Sequence, residues 1–386
     1  MKRPASAQYQ DTLWKKLKPY FTTPAKYAGE FGSYKSPLIF YDGRKVKTTS
    51  DWKKRRKEIF DRWQNIMGSW PEVIQTPEFQ ITDSIHKENY TQFSVKYEWR
   101  RNELSSGYLL VPDGKKQKPA VIIVYYEPET ALGLRNRAHM DLAVQLVRRG
   151  IATFSIGADP VAKTKPFGQY YPTPDSAIVQ PLSMLGYLAA NAYNALSHLP
   201  YIDSSRIGIT GHSYGSKWAM FASCLYEKFS CAAWSDGGIV FDESRPNVNY
   251  QDPWYLGYYP PPWGPEKDSA HSALHQTQWG YAGGTDKGAY ALLRSQGHDL
   301  HELHALMAPR PFLVSGGSED PPERWIPLNH TIKVNSLLGY KNRVGMTHRT
   351  HHEPSAESND LICDFFQYFL KSNSRDKSRS FRSRSK

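Results

Sequence analysis

The seven residues AVIIVYY, Ala120 to Tyr126, are apolar throughout. A strand with one wet face alternates apolar and polar residues. A strand that is apolar on both faces has to be covered on both, as in a parallel sheet flanked by helices. The surrounding chain agrees. Before it, FQITDSIHKENYTQFSVKYEWRR and SSGYLLV alternate with period two and read as two or three strands, and PDGKKQKP is the turn that separates them from AVIIVYY. After it, helices and strands take turns. The helix HMDLAVQLVRRG leads to the strand IATFSIG, a long helix from about 177 to 199, the strand RIGIT, the helix SKWAMFASCLY and the strand CAAWSDGG. Beyond an irregular stretch come the helix DLHELHALM, the strand RPFLVSGG, the helix IPLNHTIKVNSLLG, the strand NRVGMTH and a last helix, SNDLICDFFQYFLK. This alternation predicts an α/β fold, a mostly parallel central sheet with helices on both faces. No repeat of solenoid or propeller period is present.

Residues 1–75 form a basic, aromatic lead-in to a main domain at 76–370, and 371–386 form a tail. Within the lead-in, SDWKKRRKEIFDRWQNIMG reads as an amphipathic helix capped by Ser50 or Asp51. Trp52, Ile59, Phe60, Trp63 and Met67 fall near one face, and the Lys53–Lys57 run supplies the wet one. The formal net charge is +12, but the tail from Lys371 to Lys386 holds seven Lys and Arg against one Asp, half of that excess. KSNSRDKSRSFRSRSK is almost free of apolar residues and is expected to be a disordered, solvated tail rather than a nucleic-acid arm. No run approaches the roughly 20 apolar residues of a membrane helix. Three cysteines, Cys224, Cys231 and Cys363, make no disulfide framework. The start, MKRPASAQYQ, lacks the apolar segment of a signal peptide, so the chain is cytoplasmic or is exported with a leader this sequence does not include. The oligomeric state is not legible.

The chemistry concentrates in GITGHSYGS, which contains G-x-S-x-G at Gly211, Ser213 and Gly215. A sharp strand-to-helix turn needs small residues two before and two after the serine, and it lifts the serine Oγ above the sheet as a nucleophile. RIGIT before it and a helix after it supply that setting. The backbone N–H of Tyr214, at a helix start, then faces a developing oxyanion. A second donor is expected after the first buried parallel strand, from Tyr126 or Glu127.

A nucleophilic serine needs a base, and the base needs a carboxylate. With chain order serine, acid, histidine, the acid is expected at Asp320 in the loop after RPFLVSGG, and Asp236 in CAAWSDGG is the alternative. The histidine comes from THRTHHEPSAESND, before the last helix, and His352 is the choice over His351 and His348. His298, His301 and His304 are spaced like ligands on a helix, but HExxH is absent, so no metal is expected and no cofactor is required.

These residues resemble the α/β-hydrolase superfamily, from about Tyr108 to Leu370, and within it carbohydrate esterases of the glucuronoyl esterase and acetyl xylan esterase kind. ITGHSYGSK resembles their serine turn, and HDLHELHALMAPRPFLVSGGSEDPPERW their run into the acid loop. The resemblance implies a serine esterase acting on acetyl or uronate esters of a polysaccharide. It also implies that Lys217 sits at their sugar-contacting lysine. Two positions depart from the pattern. Tyr214 stands where that family has an arginine, and Ser216 stands at its glycine. Both bear on uronate specificity and not on ester hydrolysis. In many such relatives the acid lies about where Asp236 falls.

The stretch from about 241 to 296 reads as a lid-like insert. Its NYQDPWYLGYYPPPWGPEKD sets Trp254, Tyr255, Tyr258, Tyr259 and Trp263 among prolines. Exposed aromatic faces there would stack on sugar rings, with Trp254 and Trp263 as the contacts. Alternatively they pack beneath their own loop. Arg324 is a further candidate for sugar hydroxyls or carboxylates. Other readings are a prolyl-oligopeptidase-type peptidase, for which no propeller-length N-terminal region is present, and a non-catalytic carbohydrate-binding protein on a hydrolase scaffold.

Overall fold

AVIIVYY is the middle of a sheet because every residue from Ala120 to Val124 is fully buried. The computed structural model describes residues 5–158, 169–173, 176–258 and 288–371. Trp263, Tyr259 and most of the expected lid lie outside the described residues, as does the tail beyond Lys371. The strands are β1 (Phe79–Lys87), β2 (Tyr90–Arg100), β3 (Glu103–Pro112), β4 (Lys118–Tyr125), β5 (Ala152–Gly157), β6 (Ile202–His212), β7 (Cys231–Ser235), β8 (Phe312–Gly316) and β9 (Val344–His348). They lie in the order β1-β2-β3-β5-β4-β6-β7-β8-β9. Pairing is antiparallel from β1 through β3 to β5 and parallel from β5 to β9. From β4 the chain steps to β5 on one side, then crosses back over β4 to β6 on the other. That reversal opens a crevice beyond the carboxyl ends of β4 and β6, where ligands bind in sheets of this kind.

The period of two then decides what each side chain meets. Val121 and Ile123 face one layer, with Leu146, Phe365 and Phe366. Ile122 and Val124 face the other, with Leu185, Trp218 and Trp63. Each such aliphatic side chain contributes about 1.5–3 kcal/mol by leaving water. The helices that supply these layers are α1 (Ala5–Leu17), α2 (Thr49–Met67), α3 (Leu142–Arg148), α4 (Pro181–Ser197), α5 (Tyr214–Leu225), α6 (Gly288–Ser295), α7 (His301–Ala305), α8 (Trp325–Leu337) and α9 (Ala356–Lys371). Among the described residues no helix is long and apolar enough to cross a membrane. All three cysteines are buried and free.

Two details of α2 differ from the pattern-based expectation. Its cap is Thr48, one turn of a capping box with Asp51, so Asp51 acts from inside the first turn. The basic run is not wholly wet. Arg55 is 1% exposed, because its guanidinium reaches Glu58 at 2.5 Å and the buried Glu302 at 3.7 Å and stacks 4.0 Å from the Tyr41 ring centroid.

The turn into α7 carries a pH-sensitive group. Asp299 Oδ1 accepts the N–H of Phe241 at 3.0 Å and of Leu300 at 2.6 Å. Burial, partly offset by those bonds, pushes its pKa up to about 7. The folded state therefore holds a proton between pH 4 and 7 that the unfolded chain has released, and stability falls as pH rises through that window. Asp299→Asn keeps an acceptor without the charge. It is expected to match the parent near pH 4 and to melt about 5 °C higher at pH 8, a difference thermal unfolding at the two pH values would read.

Candidate active site

β6 runs into α5 through one residue, Ser213, which adopts φ 55° and ψ −114°. Positive φ is costly for a side chain that has a Cβ, and it survives here because the neighbours fix the turn. The Ser213 N–H donates to Ser235 O on the adjoining strand at 2.9 Å, and Ser213 O accepts from Ser216 and Lys217. The flanking glycines are sterically required. A Cβ on Gly215 would stand 2.0 Å from the carbonyl oxygen of Val124, and one on Gly211 would stand 2.4 Å from that of Gly215. The first helical residue is Tyr214, so its backbone N–H sits at the positive end of α5.

His352 reaches the serine from the loop between β9 and α9. Its Nε2 lies 2.8 Å from Ser213 Oγ. Its Nδ1 lies 2.7 Å from Asp236 Oδ2. With the Nδ1 proton directed at the carboxylate, Nε2 is left as an acceptor for the serine hydroxyl. Neither His348, at the exposed end of β9, nor the exposed His351 takes this position.

The carboxylate on the histidine is Asp236, so the preferred expectation, Asp320, is corrected. Asp236 follows β7, which is the strand next to β6, whereas Asp320 follows β8, one strand further out. The Asp320 side chain turns back toward the β7 loop and accepts the N–H of Gly238 at 2.9 Å and of Ile239 at 2.7 Å. Asp236 returns the arrangement, since its Oδ1 accepts the N–H of Gly317, Glu319 and Asp320 at 2.6, 3.1 and 2.9 Å. The two loops thus clamp each other by carboxylate-to-amide bonds. Burial and the neighbouring Asp236 charge push the Asp320 carboxyl up, against the pull of Arg324. Gly317 makes room for this seat, as a Cβ there would stand 2.6 Å from Asp236 Oδ2 and 2.4 Å from His351 O.

Two supporting residues carried no signal in the sequence. Arg349 donates to Ser315 O at 2.8 Å, to His352 O at 2.6 Å and to Glu353 O at 2.8 Å, which ties the histidine turn to the end of β8. His212 precedes the serine, its Nδ1 3.1 Å from Ser235 O and its ring centroid 4.7 Å from that of His352. Burial, with the charges of His352 and Arg349, pushes its pKa well down, so it is a neutral imidazole beside the base.

Above Ser213 opens a cleft of about 740 Å³ whose walls include Tyr126, Glu127, Arg137, Asn247 and His352. Both candidate second donors, Tyr126 and Glu127, are on this wall just beyond β4. The Tyr126 ring is 44% exposed and stacks on Tyr214 at 4.3 Å and 12°. Other expected contacts lie elsewhere. Lys217 is 2% exposed. Its Nζ donates to Asn247 O at 2.6 Å and lies 5.0 Å from the Tyr250 ring centroid. Burial pulls its pKa down to about 8. It thus props a cleft residue from beneath, which corrects the expectation of a direct sugar contact. Arg324 is also turned inward, onto Asp242 at 2.7 Å and Glu319 O at 3.0 Å. Tyr255 and Tyr258 are buried and Trp254 is half-buried against the main core, so these three pack under the loop and form no exposed rim. The spaced histidines face inward too, His298 on Glu302 at 2.8 Å and His301 on Lys35 O at 2.6 Å. Among the described residues no group of three or more His, Cys, Asp or Glu could hold a metal ion.

A parallel sheet reversing at β4, a serine at a glycine-flanked elbow and a histidine arriving before the last helix define the α/β-hydrolase fold. No family model and no curated protein matches the chain by sequence. Solved structures match it by shape. A glucuronoyl esterase from Solibacter usitatus superposes with a TM-score of 0.63 at 18% identity, covering 88% of this chain and 99% of that one. A carbohydrate esterase family 15 glucuronoyl esterase from Caldicellulosiruptor kristjansonii gives 0.59 at 21% identity, over 95% of this chain and 97% of that one. The glucuronoyl esterase catalytic domain from Hypocrea jecorina gives 0.57 at 16% identity, over 89% and 91%.

Proposed function

We propose that the protein is a serine carboxylic-ester hydrolase acting on carbohydrate esters. The observation that carries this is the unbroken pair of hydrogen bonds from Ser213 through His352 to Asp236, set on the strained elbow beneath an open cleft. In the reaction the Ser213 Oγ attacks the ester carbonyl carbon while His352 Nε2 takes its proton. The negative oxygen of the tetrahedral intermediate is held by the Tyr214 N–H and a second N–H from Tyr126 or Glu127. The intermediate collapses with loss of the alcohol, which receives the proton from His352. Water, deprotonated by the same imidazole, then releases the acid and restores the serine. Asp236 holds the imidazole in the tautomer and orientation these transfers need. Every step is carried by protein groups and water.

The carbohydrate part of the reading is supported by the shape-matched proteins named above, all glucuronoyl esterases, and by the wide cleft with an aromatic wall at Tyr126. The ester cleaved is an acetate on a sugar hydroxyl or a methyl ester of a uronate. The test is hydrolysis of an acetylated xylan fragment and of a methyl glucuronate ester by the purified protein, together with labelling by a fluorophosphonate and identification of the labelled peptide. Turnover of either ester with the label on Ser213 is the expected result. Cleavage of aryl acetate alone would keep the hydrolase and remove the carbohydrate, while no turnover and no label would remove both.

A further inference from the structure

The cations around the cleft differ in what they are doing. Arg135 is paired with Glu127 and lies 3.6 Å from Glu129. Lys217 is bonded to the Asn247 carbonyl, and Arg349 to a set of backbone carbonyls. Arg135 and Arg137 are both exposed, but of the four only Arg137 lines the cleft and has no anionic partner among the described residues. Its place is beside the aromatic wall. Arg137 and Tyr126 line the same cleft over Ser213. The wall itself is stiff, because Tyr126 is stacked face to face on Tyr214, whose ring is buried. The cleft also has two acidic residues, Glu127, which is paired with Arg135, and Glu353, whose backbone carbonyl accepts from Arg349 at 2.8 Å.

A sugar ring laid against Tyr126 would share the cleft with the Arg137 side chain. A planar fork of N–H donors selects oxyanions over hydroxyls, because it offers two parallel charge-assisted bonds to a carboxylate or sulfate. We propose that Arg137 is a specificity residue that binds an oxyanion substituent, a carboxylate or a sulfate, on the sugar next to the ester being cleaved. The proposal rests on the ester-hydrolase reading above and adds to it the class of substrate, an acidic polysaccharide. A neutral acetylated chain would leave this group unused.

The test compares three disaccharide methyl uronate esters whose neighbouring ring is a free glucuronate, a sulfated xylose or plain xylose. The quantity read is the ratio of kcat/KM for each acidic ester to that for the plain one. The parent protein is expected to favour an acidic ester. Arg137→Gln is expected to lower that ratio by about three- to fivefold, the scale of one solvent-exposed charge pair, and Arg137→Glu to lower it further. Raising the salt to about 0.5 M should shrink the ratio in the parent more than in either variant. Whichever acidic ester shows the effect separates carboxylate from sulfate. A ratio that Arg137→Gln leaves in place overturns the proposal. Calorimetric binding of the same disaccharides to Ser213→Ala, with and without Arg137→Gln, gives a reading that needs no turnover. Charge-dependent binding by a parent protein that hydrolyses neither these esters nor the acetylated fragment and aryl acetate would keep Arg137 and sink the esterase. Hydrolysis with charge-blind binding would do the reverse.

Discussion

Ser213→Ala is expected to lower kcat on any cleaved ester by about 10⁶-fold, and His352→Ala by a similar factor. The double variant is expected to be no slower than either single one. The reason is geometric. Nε2 of His352 has the Ser213 hydroxyl as its partner at 2.8 Å, so the imidazole has no proton to take once the oxygen is gone. The hydroxyl without the imidazole is an alcohol with no base. The two side chains work as one unit, and their losses cannot add. The residual rate comes from the backbone donors at Tyr214 and from binding in the cleft. Single-turnover kinetics on an aryl acetate would show it. If the double variant were slower than each single variant by another factor of 10³ or more, the two residues would be acting independently, and the proposed proton path would be wrong.

How much of this was legible in the sequence follows from what each signal measures. Periodicity reports which face of an element is dry, so it marked the strands of the sheet, two or three where β1 to β3 stand, and most of the helices between them. It missed α1, and it missed α6, which falls in the stretch read as irregular. The glycine spacing around Ser213 singled out the elbow, because Gly211 and Gly215 are demanded by backbone contacts inside one short turn. Periodicity does not report which of two neighbouring loops bends toward a third. Asp236 and Asp320 both follow an apolar strand within a glycine-containing loop, at the ends of adjacent strands. Chain order alone favours the later one. The signal that points the other way is local. Asp236 has φ 53° and Gly238 φ 76°, a tight reversal that SDGG permits and that turns the Asp236 carboxylate toward the histidine. Long-range pairing is equally invisible to a window. Arg55 looks like one more charge in KKRRK until Glu302 arrives from α7, and Lys217 looks like a surface lysine until the Asn247 carbonyl and two tyrosine rings close over it.

Asp236→Asn is expected to reduce kcat by about 10⁴-fold with little change in stability, and Asp320→Asn to do something different in kind. An amide at 236 presents an N–H₂ group as readily as an oxygen to His352 Nδ1. The ring then settles with its proton on Nε2, the wrong nitrogen for accepting from Ser213. Asp320 touches neither the histidine nor the serine. Its two oxygens hold the N–H groups of Gly238 and Ile239, on the loop that carries Asp236. An asparagine keeps one of those acceptors and sets an N–H₂ against the other amide, which leaves a buried donor without a partner at a cost of about 1–3 kcal/mol. The loss should therefore appear in the melting temperature as well as in the rate, with kcat down by roughly 10- to 100-fold as the Asp236 loop loosens. Measuring kcat and Tm for both variants distinguishes the two roles. A 10⁴-fold loss at Asp320 with Asp236→Asn nearly active would exchange them, and would mean that the His352 loop re-registers by one strand when substrate binds.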